Sequence, residues 1–264
     1  MKEFLVKIIH LSDLHFGTEE EVIVDSLQRA IRQQVPDIVV VSGDFTQIAS
    51  EAEFNKAQTF LNALPCPYLA VPGNHDVPVW DLLARFIKPY DKYMRYISGD
   101  LNPVFKQEDV LIAGINSARR ALPHWNWANG ATSVKQLRNV QQIFDGFEGW
   151  RICTLHHPIH KVQDMPIDVT VFGRKRTLHC LQELKVDLVL TGHVHHASIT
   201  TIGDHDHQTV YLSASTALSS RLRKQENGFN VIELSGHEMR IQILALNKGN
   251  FECIKSFEHI KTAS

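Results

Sequence analysis

Five short clusters of histidine, aspartate and asparagine stand out in the chain of 264 residues. Each follows or ends a run rich in apolar, β-branched residues, which is typical of a strand end. The clusters are Ser12-Asp13-Leu14-His15, Gly43-Asp44, Gly73-Asn74-His75-Asp76, His156-His157-Pro158 and Gly192-His193-Val194-His195. Because the ends of several strands meet on one rim of an α/β fold, we expect these side chains to converge in space. Carboxylate, amide and imidazole donors without thiolate indicate a site for Mn, Fe, Zn or Co.

The spacing within the clusters limits what each residue can do. Asp13 and His15 are two positions apart, so on extended backbone both side chains leave the same face and can bind one ion. Asn74 offers a neutral oxygen ligand, and the adjacent His75 then stays available for proton transfer. Taken alone, each pattern has an ordinary explanation, such as a turn aspartate or a helix cap. The joint occurrence of all five at strand ends favours a metal site.

Length and composition favour one globular domain that spans residues 1–264. The chain is 44% hydrophobic with a formal charge of −2, so it can bury a large core and has no general attraction to nucleic acid. No apolar run approaches the roughly 18 residues of a membrane span, and the charged N-terminal segment lacks a signal-peptide cleavage site. The four cysteines are far apart without a C-x-x-C pair. We therefore expect a cytoplasmic protein with free thiols, no membrane span and no nucleic-acid partner. The sequence does not determine its oligomeric state.

The elements that must position the clusters alternate between strands and helices. Strands are predicted at 4–11, 37–42 and 67–71, with helices to about residue 34 and residue 64 between them. Capping boxes that pair Thr18 with Glu21, and Ser50 with Glu53, predict the starts of these helices. This βαβαβ order implies a parallel sheet with ligands at the carboxyl ends of its strands.

In the second half of the chain, the sequence pattern predicts further strands and helices, followed by a run of antiparallel strands. Two strands are expected within 104–117, a helix from the Ser133 and Gln136 capping box to Phe144, a strand at 151–155, a helix around 178–184 and a strand at 187–191. Irregular helical cover is expected between residues 78 and 103. Beyond His196, five alternating runs predict an antiparallel meander.

The five blocks together closely resemble the calcineurin-like metallophosphoesterase superfamily, with its D-x-H, G-D, G-N-H-[DE], later histidine and G-H-x-H signature. All five blocks are intact, and the resemblance implies an α/β fold, a four-layer αββα sandwich with mixed sheets. It implies two metal ions, the first bound by Asp13, His15, Asp44 and His195, and the second by Asp44, Asn74, His156 and His193. His75 is then the non-coordinating histidine beside the scissile phosphate.

Such a centre predicts a hydrolase of phosphate esters. Two ions about 3.5 to 4 Å apart lower the pKa of a bridging water towards roughly 7, and the resulting hydroxide attacks phosphorus in line. Protonated His75 stabilises the transition state and gives a proton to the departing alkoxide. The chain is most similar to bacterial class III cyclic-nucleotide phosphodiesterases, which predicts a phosphodiesterase with a cyclic nucleotide as the leading substrate.

Other substrates and one other class of function stay open. The same core could cleave phosphomonoesters, lipid or nucleotide pyrophosphates, or glycerophosphodiesters, because the metals bind phosphate and the loops select the rest. A metal-free interaction scaffold with this fold is the alternative of another class, although no ligand is missing here. A nuclease is disfavoured because the sequence has no basic channel.

Several further residues are candidates for substrate contact. Asn116, Arg119 and His196 are predicted to bind substrate, with a solvated loop as the alternative for Arg119 and its neighbour Arg120. Of the remaining polar and aromatic residues, His157 is expected to lie on the surface or behind the ligands and His160 to line a pocket. His205 and His207 are expected to be solvated, and Trp125 and Trp127 to stack on a nucleobase or cover a sheet edge.

Overall fold

A computed structural model describes residues 6–122, 128–162, 171–220 and 225–261 of the protein. Within these residues, two six-stranded sheets carry most of the backbone pairing. The first sheet contains Val6–Leu11 (β1), Ile38–Val41 (β2), Tyr68–Ala70 (β3), Gly228–Ser235 (β12), Glu238–Asn247 (β13) and Asn250–Ile260 (β14). The second contains Val104–Gln107 (β4), Val110–Gly114 (β5), Trp150–Thr154 (β7), Leu188–Thr191 (β9), Ser198–Gly203 (β10) and Gln208–Ser213 (β11).

The remaining elements are short strands and helices that cover these sheets. Gly130–Ala131 (β6) pairs with Val171–Phe172 (β8) in a small parallel ribbon. The helices are Glu21–Gln34 (α1), Glu51–Asn62 (α2), Leu82–Ile87 (α3), Asp91–Tyr96 (α4), Val134–Phe144 (α5) and Arg174–Glu183 (α6), with a 3-10 turn at Asn74–Asp76. Among the described residues, no helix has both the length and the apolar character that crossing a bilayer requires.

Both sheets are mixed. The first has the order β14-β13-β12-β1-β2-β3, with β1, β2 and β3 parallel and the other neighbours antiparallel. The second has the order β10-β11-β9-β7-β5-β4, in which β11, β9, β7 and β5 are parallel and the two edge strands run against them. The parallel strands of each sheet therefore point their carboxyl ends to a common edge.

Alternation of side chains along the strands produces three apolar cores in four layers. On β1, Ile8 packs between the two sheets, whereas Ile9 packs outward under α1 and α2. On β7, Ile152 faces the other sheet, whereas Cys153 packs under α5 and α6. The order of layers is helices, sheet, sheet, helices. The predicted four-layer αββα sandwich with mixed sheets is confirmed.

Most element predictions hold, and two are wrong. The capping boxes at Ser50 and Ser133 are present and start α2 and α5. The box at Thr18 is absent: α1 begins at Glu21, and the Thr18 hydroxyl instead donates to the His15 carbonyl at 3.0 Å. The expected meander is divided, because β10 and β11 join the second sheet and β12 to β14 join the first. Long-range strand pairing, which short sequence patterns do not encode, decides this division.

The Ser50 cap gives a test of local stability. Ser50 Oγ accepts the Glu53 N–H at 3.3 Å, and Glu53 Oε2 accepts the Ser50 N–H at 3.1 Å. Ser50→Ala leaves a helix donor unpaired, so the free energy of unfolding should fall by about 1 kcal/mol. Urea unfolding measures it. Ser256→Ala, at an exposed strand position, is the matched control and should stay within about 0.5 kcal/mol of wild type; equal losses in both variants would contradict the capping role.

Candidate metal centre

Seven of the sequence-predicted residues come from the carboxyl ends of five strands, and the structure brings their side chains together. Four of them follow three strands of the first sheet, and the other three follow two strands of the second sheet. In chain order they are Asp13 and His15 after β1, Asp44 after β2, Asn74 after β3, His156 after β7, and His193 and His195 after β9. The site therefore lies where the two sheets meet, as the strand-end argument predicted.

Most of these residues have left-handed backbone conformations, and this conformation, rather than the pleat of a strand, sets the direction of their side chains. Positive φ angles occur at Asp13 (53°), His15 (46°), Asp44 (57°), His193 (71°) and His195 (54°). The expectation that Asp13 and His15 share a face of extended backbone is therefore wrong, because β1 ends at Leu11. A left-handed non-glycine residue costs roughly 1–2 kcal/mol, and such residues are concentrated at functional sites.

The first group of donor atoms surrounds His195. Its Nε2 lies 3.1 Å from Asp13 Oδ1 and 3.1 Å from His15 Nε2. His15 Nε2 in turn lies 3.7 Å from Asp13 Oδ1 and 3.7 Å from Asp44 Oδ2. Asp13, His15 and His195 are all buried. Asp13, His15 and His195 could hold one ion between them, and Asp44 lies beside His15.

The second group of donor atoms surrounds Asn74 Oδ1. This oxygen lies 3.0 Å from His193 Nδ1 and 3.2 Å from His156 Nε2. The two ring nitrogens are 3.2 Å apart, and His156 Nε2 is also 3.2 Å from Asp44 Oδ2. The carboxylate of Asp44 therefore faces both groups through Oδ2. Its other oxygen is occupied, because Oδ1 accepts the His75 backbone N–H at 2.8 Å.

The chemistry of these donors fits cations better than it fits hydrogen bonding. Two imidazole nitrogens 3.1 Å apart, as in His15 and His195, can share at most one proton, and both of them face Asp13 Oδ1. The outer nitrogens of two rings are already used: His15 Nδ1 donates to the Thr46 carbonyl and His156 Nδ1 to the Ser42 carbonyl at 2.7 Å. Such outer bonds fix the tautomer that leaves the inner nitrogen as a metal ligand.

Two positions in the clusters require glycine, because the side chains of a neighbouring loop lie too close to leave room for a Cβ atom. A Cβ at Gly73 would collide with the Asp44 carboxylate, and a Cβ at Gly192 would collide with Ser12 and with Asp13 Oδ2. The carboxylates are thus pressed against the backbone of the opposite loop. The His193 N–H uses this closeness to donate to Asp13 Oδ2 at 2.9 Å.

His75 lies at the edge of the centre and is held by its own hydrogen bond. Its Nδ1 donates to the Gln47 carbonyl at 2.6 Å, so Nε2 is the nitrogen available for a ligand, and its side chain is half-buried. Its ring packs edge-on against His15, with centroids 4.8 Å apart. Together with His15 and Asp44, it could also serve as a metal ligand. Proton donation therefore stays a prediction for His75.

The predicted substrate residues lie on the segments that follow β5 and β9. Asn116 is buried after β5, and Arg119 donates to the carbonyls of Asn116 and Ala118, each at 2.7 Å, and to Gln136. Arg120 is exposed and donates to the Phe86 carbonyl. His196 is half-buried directly after a proposed ligand. Their contact with substrate remains a prediction.

The other singled-out side chains divide as follows. His157 is engaged at both nitrogens, with Ser117 Oγ at 2.8 Å and the Ala128 carbonyl at 3.0 Å, which agrees with a position behind the ligands. His160 is buried against the Tyr211 ring. His205 is exposed, but His207 bonds the Val186 carbonyl and is half-buried, so its expected solvation is wrong. Trp125 and Trp127 lie outside the described residues.

Sequence reasoning missed a buried polar layer beneath the ligands. His10 is fully buried, with Nε2 2.9 Å from Ser42 Oγ and Nδ1 3.1 Å from Asn230 Nδ2. Ser42 in turn accepts His156 through its carbonyl. The signal was a histidine at an inward position of the apolar strand β1, two residues before Ser12, where the alternation calls for a hydrophobic residue.

Asp76 is a second missed residue and holds two loops together. Its Oδ2 accepts the Gly73 N–H at 2.8 Å, and its Oδ1 accepts the Thr46 N–H at 3.0 Å and the Thr46 hydroxyl at 3.1 Å. Burial and the nearby Asp44 carboxylate raise the pKa of Asp76 to about 7. Its place in the Gly73-Asn74-His75-Asp76 block was visible, but its role depends on the distant Thr46.

The charges of the centre are strongly coupled. Burial opposes ionisation of Asp44, but His156 and His75 outweigh it and hold the pKa of Asp44 well below its usual range. Burial also disfavours the charged ring of His156, yet the Asp44 carboxylate outweighs it and raises the pKa of His156 to about 9. Burial and the charge of His156 lower the pKa of His193 to about 3. Without a metal ion, a proton on His156 therefore offsets the charge of the Asp44 carboxylate.

The family model of the calcineurin-like phosphoesterases matches residues 6–197, which include all five clusters. The chain belongs to this family. It is thus a metallophosphoesterase by family, with histidine and aspartate groups that could hold divalent metals.

Individual relatives are more distant. A probable cyclic nucleotide phosphodiesterase from Synechococcus sp. is 35% identical over 175 residues, 64% of this chain and 62% of that protein. A probable glycerophosphodiester phosphodiesterase from Arcobacter nitrofigilis is 26% identical over 169 residues, 62% of this chain and 59% of that protein. The chain thus matches about three fifths of the length of these curated relatives. A dimetal phosphatase from Danio rerio shares the fold, with a TM-score of 0.71 over 99% of this chain and 100% of that one at 12% identity.

The pair of His156 and Asp44 predicts a pH dependence of the metal-free protein. Because the folded-state pKa of His156 is raised to about 9, its stabilisation is complete below the ordinary value of 6.5 and is lost as the pH rises through 9. The free energies of unfolding of chelator-treated wild type and His156→Gln are measured in urea at pH 6, 7.5 and 9.5. The advantage of the wild type over the variant should shrink as the pH rises, by about 3 kcal/mol at most. A difference that stays constant or grows with pH would contradict the ion pair.

Asp44 Oδ2 faces both donor groups, whereas Asp13 belongs to the first group only. We therefore predict that loss of the Asp44 carboxylate impairs metal binding more than loss of the Asp13 carboxylate. If Asp44 bridges two ions, Asp44→Ala should lose both and reduce phosphoesterase activity to background, whereas Asp13→Ala should retain part of the metal. Elemental analysis and activity of purified proteins loaded with Mn²⁺ measure both effects. The exposed Asp25→Ala is the control. Two ions per chain and full activity in Asp44→Ala would refute the assignment.

Proposed function

We propose that this protein is a metal-dependent phosphodiesterase that binds two cations, with cyclic nucleotides as the leading substrates. The observation that carries the proposal is the position of Asp44 Oδ2, which is 3.7 Å from His15 Nε2 on one side and 3.2 Å from His156 Nε2 on the other. One carboxylate oxygen that faces two separate sets of nitrogen and oxygen donors suits a bridging ligand.

The residues divide into two proposed sets around that bridge. Asp13, His15 and His195 hold the first cation together with Asp44, and Asn74, His156 and His193 hold the second. Mn, Fe, Zn and Co all suit such oxygen and nitrogen donors. When bound, the cations would supply positive charge for the phosphoryl oxygens and would lower the pKa of a water molecule towards about 7.

Proton donation and positioning of the bridging carboxylate are the proposed roles of His75, at the edge of the centre. His75 is held by the Gln47 carbonyl through Nδ1, which leaves Nε2 to donate a proton to the departing alkoxide. The His75 backbone N–H, at 2.8 Å from Asp44 Oδ1, positions the bridging carboxylate from the same loop. One loop therefore positions both the carboxylate and the proposed acid.

The names of two relatives support a diester substrate. The Synechococcus and Arcobacter relatives are both named as probable phosphodiesterases, the first for cyclic nucleotides and the second for glycerophosphodiesters. The fully assembled donor sets disfavour a metal-free scaffold. Phosphomonoesters and pyrophosphates remain alternative substrates, because the donor sets recognise the phosphoryl group alone.

A substrate panel tests the proposal. The purified full chain, loaded with Mn²⁺, is assayed with cyclic AMP, cyclic GMP, glycerophosphocholine, a nucleotide sugar and p-nitrophenyl phosphate, with Asp44→Ala as the inactive control. The highest kcat/KM is expected for a cyclic nucleotide. A preference for glycerophosphocholine would keep the diesterase class and change the substrate. Preference for the monoester, or equal activity of Asp44→Ala, would overturn the proposal.

The acid role of His75 predicts a dependence on the leaving group. His75→Ala should lose about 10²- to 10⁴-fold in kcat/KM on a cyclic nucleotide, whose leaving alkoxide needs a proton. On bis(p-nitrophenyl) phosphate the loss should be distinctly smaller, because nitrophenolate leaves without one.

The metal content of His75→Ala distinguishes its two candidate roles. Retained metal with equal losses on both substrates would exclude the acid role and leave stabilisation of phosphoryl charge. Loss of metal would instead make His75 a ligand. The exposed His205→Ala serves as the matched control and should behave like wild type in both assays.

A further inference from the structure

A chain of hydrogen bonds crosses the space between the two sheets, close to the strand ends that carry the ligands, and His10 lies in its middle. His10 on β1 and Asn230 on β12 belong to the first sheet, whereas Ser213 ends β11 of the second sheet. Asn230 Nδ2 lies 3.1 Å from His10 Nδ1 and donates to the Ser213 carbonyl at 3.4 Å. All three residues are fully buried, so the chain joins the two sheets out of contact with water.

The partners of His10 determine which of its ring nitrogens carries the proton. A carbonyl oxygen can only accept, so the Asn230 atom that faces Ser213 is the amide nitrogen, whose second hydrogen is directed to His10 Nδ1. His10 Nδ1 is therefore an acceptor, and Nε2 donates to Ser42 Oγ at 2.9 Å. Burial lowers the pKa of His10 to about 3, so the ring is neutral at ordinary pH. Both nitrogens of this neutral ring are thus used.

The other end of the chain reaches two proposed metal ligands through Ser42. The Ser42 hydroxyl donates to the Leu11 carbonyl at 3.4 Å, which joins the end of β2 to the end of β1. The Ser42 carbonyl accepts from His156 Nδ1 at 2.7 Å and from Ser12 Oγ at 3.3 Å. Asp44 follows Ser42 by two residues. The Ser42 peptide therefore supports His156 directly and begins the loop that carries Asp44.

The inner nitrogen of His156 leaves little room for displacement. The His156 ring is fully buried, and its Nε2 lies 3.2 Å from each of three atoms, which are Asp44 Oδ2, Asn74 Oδ1 and His193 Nδ1. These four atoms are the second group of donor atoms. A shift of the Ser42 carbonyl would turn the His156 ring and change all three distances together.

The first group of donor atoms has separate supports. His15 Nδ1 bonds the Thr46 carbonyl at 3.3 Å, and Thr216 Oγ1 donates to the Asp13 carbonyl at 2.6 Å. Neither bond involves His10. A change at His10 should therefore disturb the second group of donor atoms more than the first.

We propose that His10 is a positioning residue for the metal ligand His156: through Ser42 it holds the ring in the orientation that directs Nε2 to the second group of donor atoms. The ligand role of His156 rests on the proposed function. Hydrogen-bond partners of metal ligands typically contribute about 10- to 100-fold to metal affinity, and His10 acts through one further residue, so we expect an effect of about tenfold.

Mn²⁺ binding to the chelator-treated full chain tests the proposal, with free Mn²⁺ measured by electron paramagnetic resonance. His193→Ala removes a proposed ligand of the second group and so identifies the class of site that this group forms. His10→Leu should weaken that class about tenfold and the other class by less than about threefold. His10→Gln should restore the affinity, because its amide can accept from Asn230 and donate to Ser42.

Two further variants separate positioning from a general loss of stability. Ile8→Val, on the same inward face of β1, should lower the free energy of unfolding by about 0.5–1.5 kcal/mol and leave both Mn²⁺ affinities unchanged. His10→Leu combined with Ser42→Ala and Asn230→Leu removes all the polar side chains that His10→Leu leaves unpaired. This variant should be more stable to urea than His10→Leu, whereas its second class of site should stay weak. Recovery of that affinity together with stability would overturn the proposal.

The nuclear magnetic resonance of His156 gives a second test, without metal. Its ¹⁵N ring signals, assigned by their loss in His156→Gln, should shift in His10→Leu and return to the wild-type position in His10→Gln. Unchanged signals in His10→Leu, or equal weakening of both classes of Mn²⁺ site, would overturn the proposal even if the combined variant does not fold. Fewer than two Mn²⁺ ions per wild-type chain would refute the two-cation function instead, and the signals of His156 would still decide the role of His10.

Discussion

Asp13 and Asp44 lie at the junction of the two sheets with at most 1% of their surface exposed, and the cost of burying two carboxylates shapes everything near them. An isolated buried charge costs several kcal/mol unless opposite charge and hydrogen bonds surround it. His195 and His156 provide neighbouring imidazoles, and the N–H groups of His193 and His75 provide hydrogen bonds. The same negative potential that needs these partners is what attracts cations.

The geometry of the centre follows from where the strands stop. The three parallel strands of the first sheet and the parallel strands β7 and β9 of the second deliver one or two ligands each, just beyond their last paired residue. Left-handed residues there turn the side chains inward instead of alternating them up and down. This backbone is unfavourable by itself, so the packed sheets on both sides must hold it.

Beyond the ligands, the segment after β5 connects the centre to its cover. Ser117 Oγ meets His157, whose ring packs 4.8 Å from His156 and 4.7 Å from His193. On the outer side, the buried Arg85 donates to the carbonyls of Arg120 and Pro78, and the Tyr90 hydroxyl donates to Ala118. One short segment thus connects the residues around the metal centre with the helices that cover it. Differences between relatives in such loops alter ligand choice without disturbing the metal donors.

The sequence by itself determined the parts that depend on neighbouring residues. The apolar strands, the caps at Ser50 and Ser133, and the clusters at strand ends all follow from local periodicity and side-chain chemistry. Predictions from the sequence were wrong where contacts with residues far away in the chain decide the local structure. Thr18 bonds with Ser219 and not with the helix it was expected to cap, and β11 pairs parallel with β9 although it follows an antiparallel turn.

Only the tertiary structure decided the left-handed backbone conformation of Asp13 and His15 and the supporting layer of His10 and Ser42. Each depends on contacts between segments far apart in the chain. The physical reason is that side-chain spacing along a strand is set by covalent geometry, whereas the direction in which a strand end turns is set by the packing it meets.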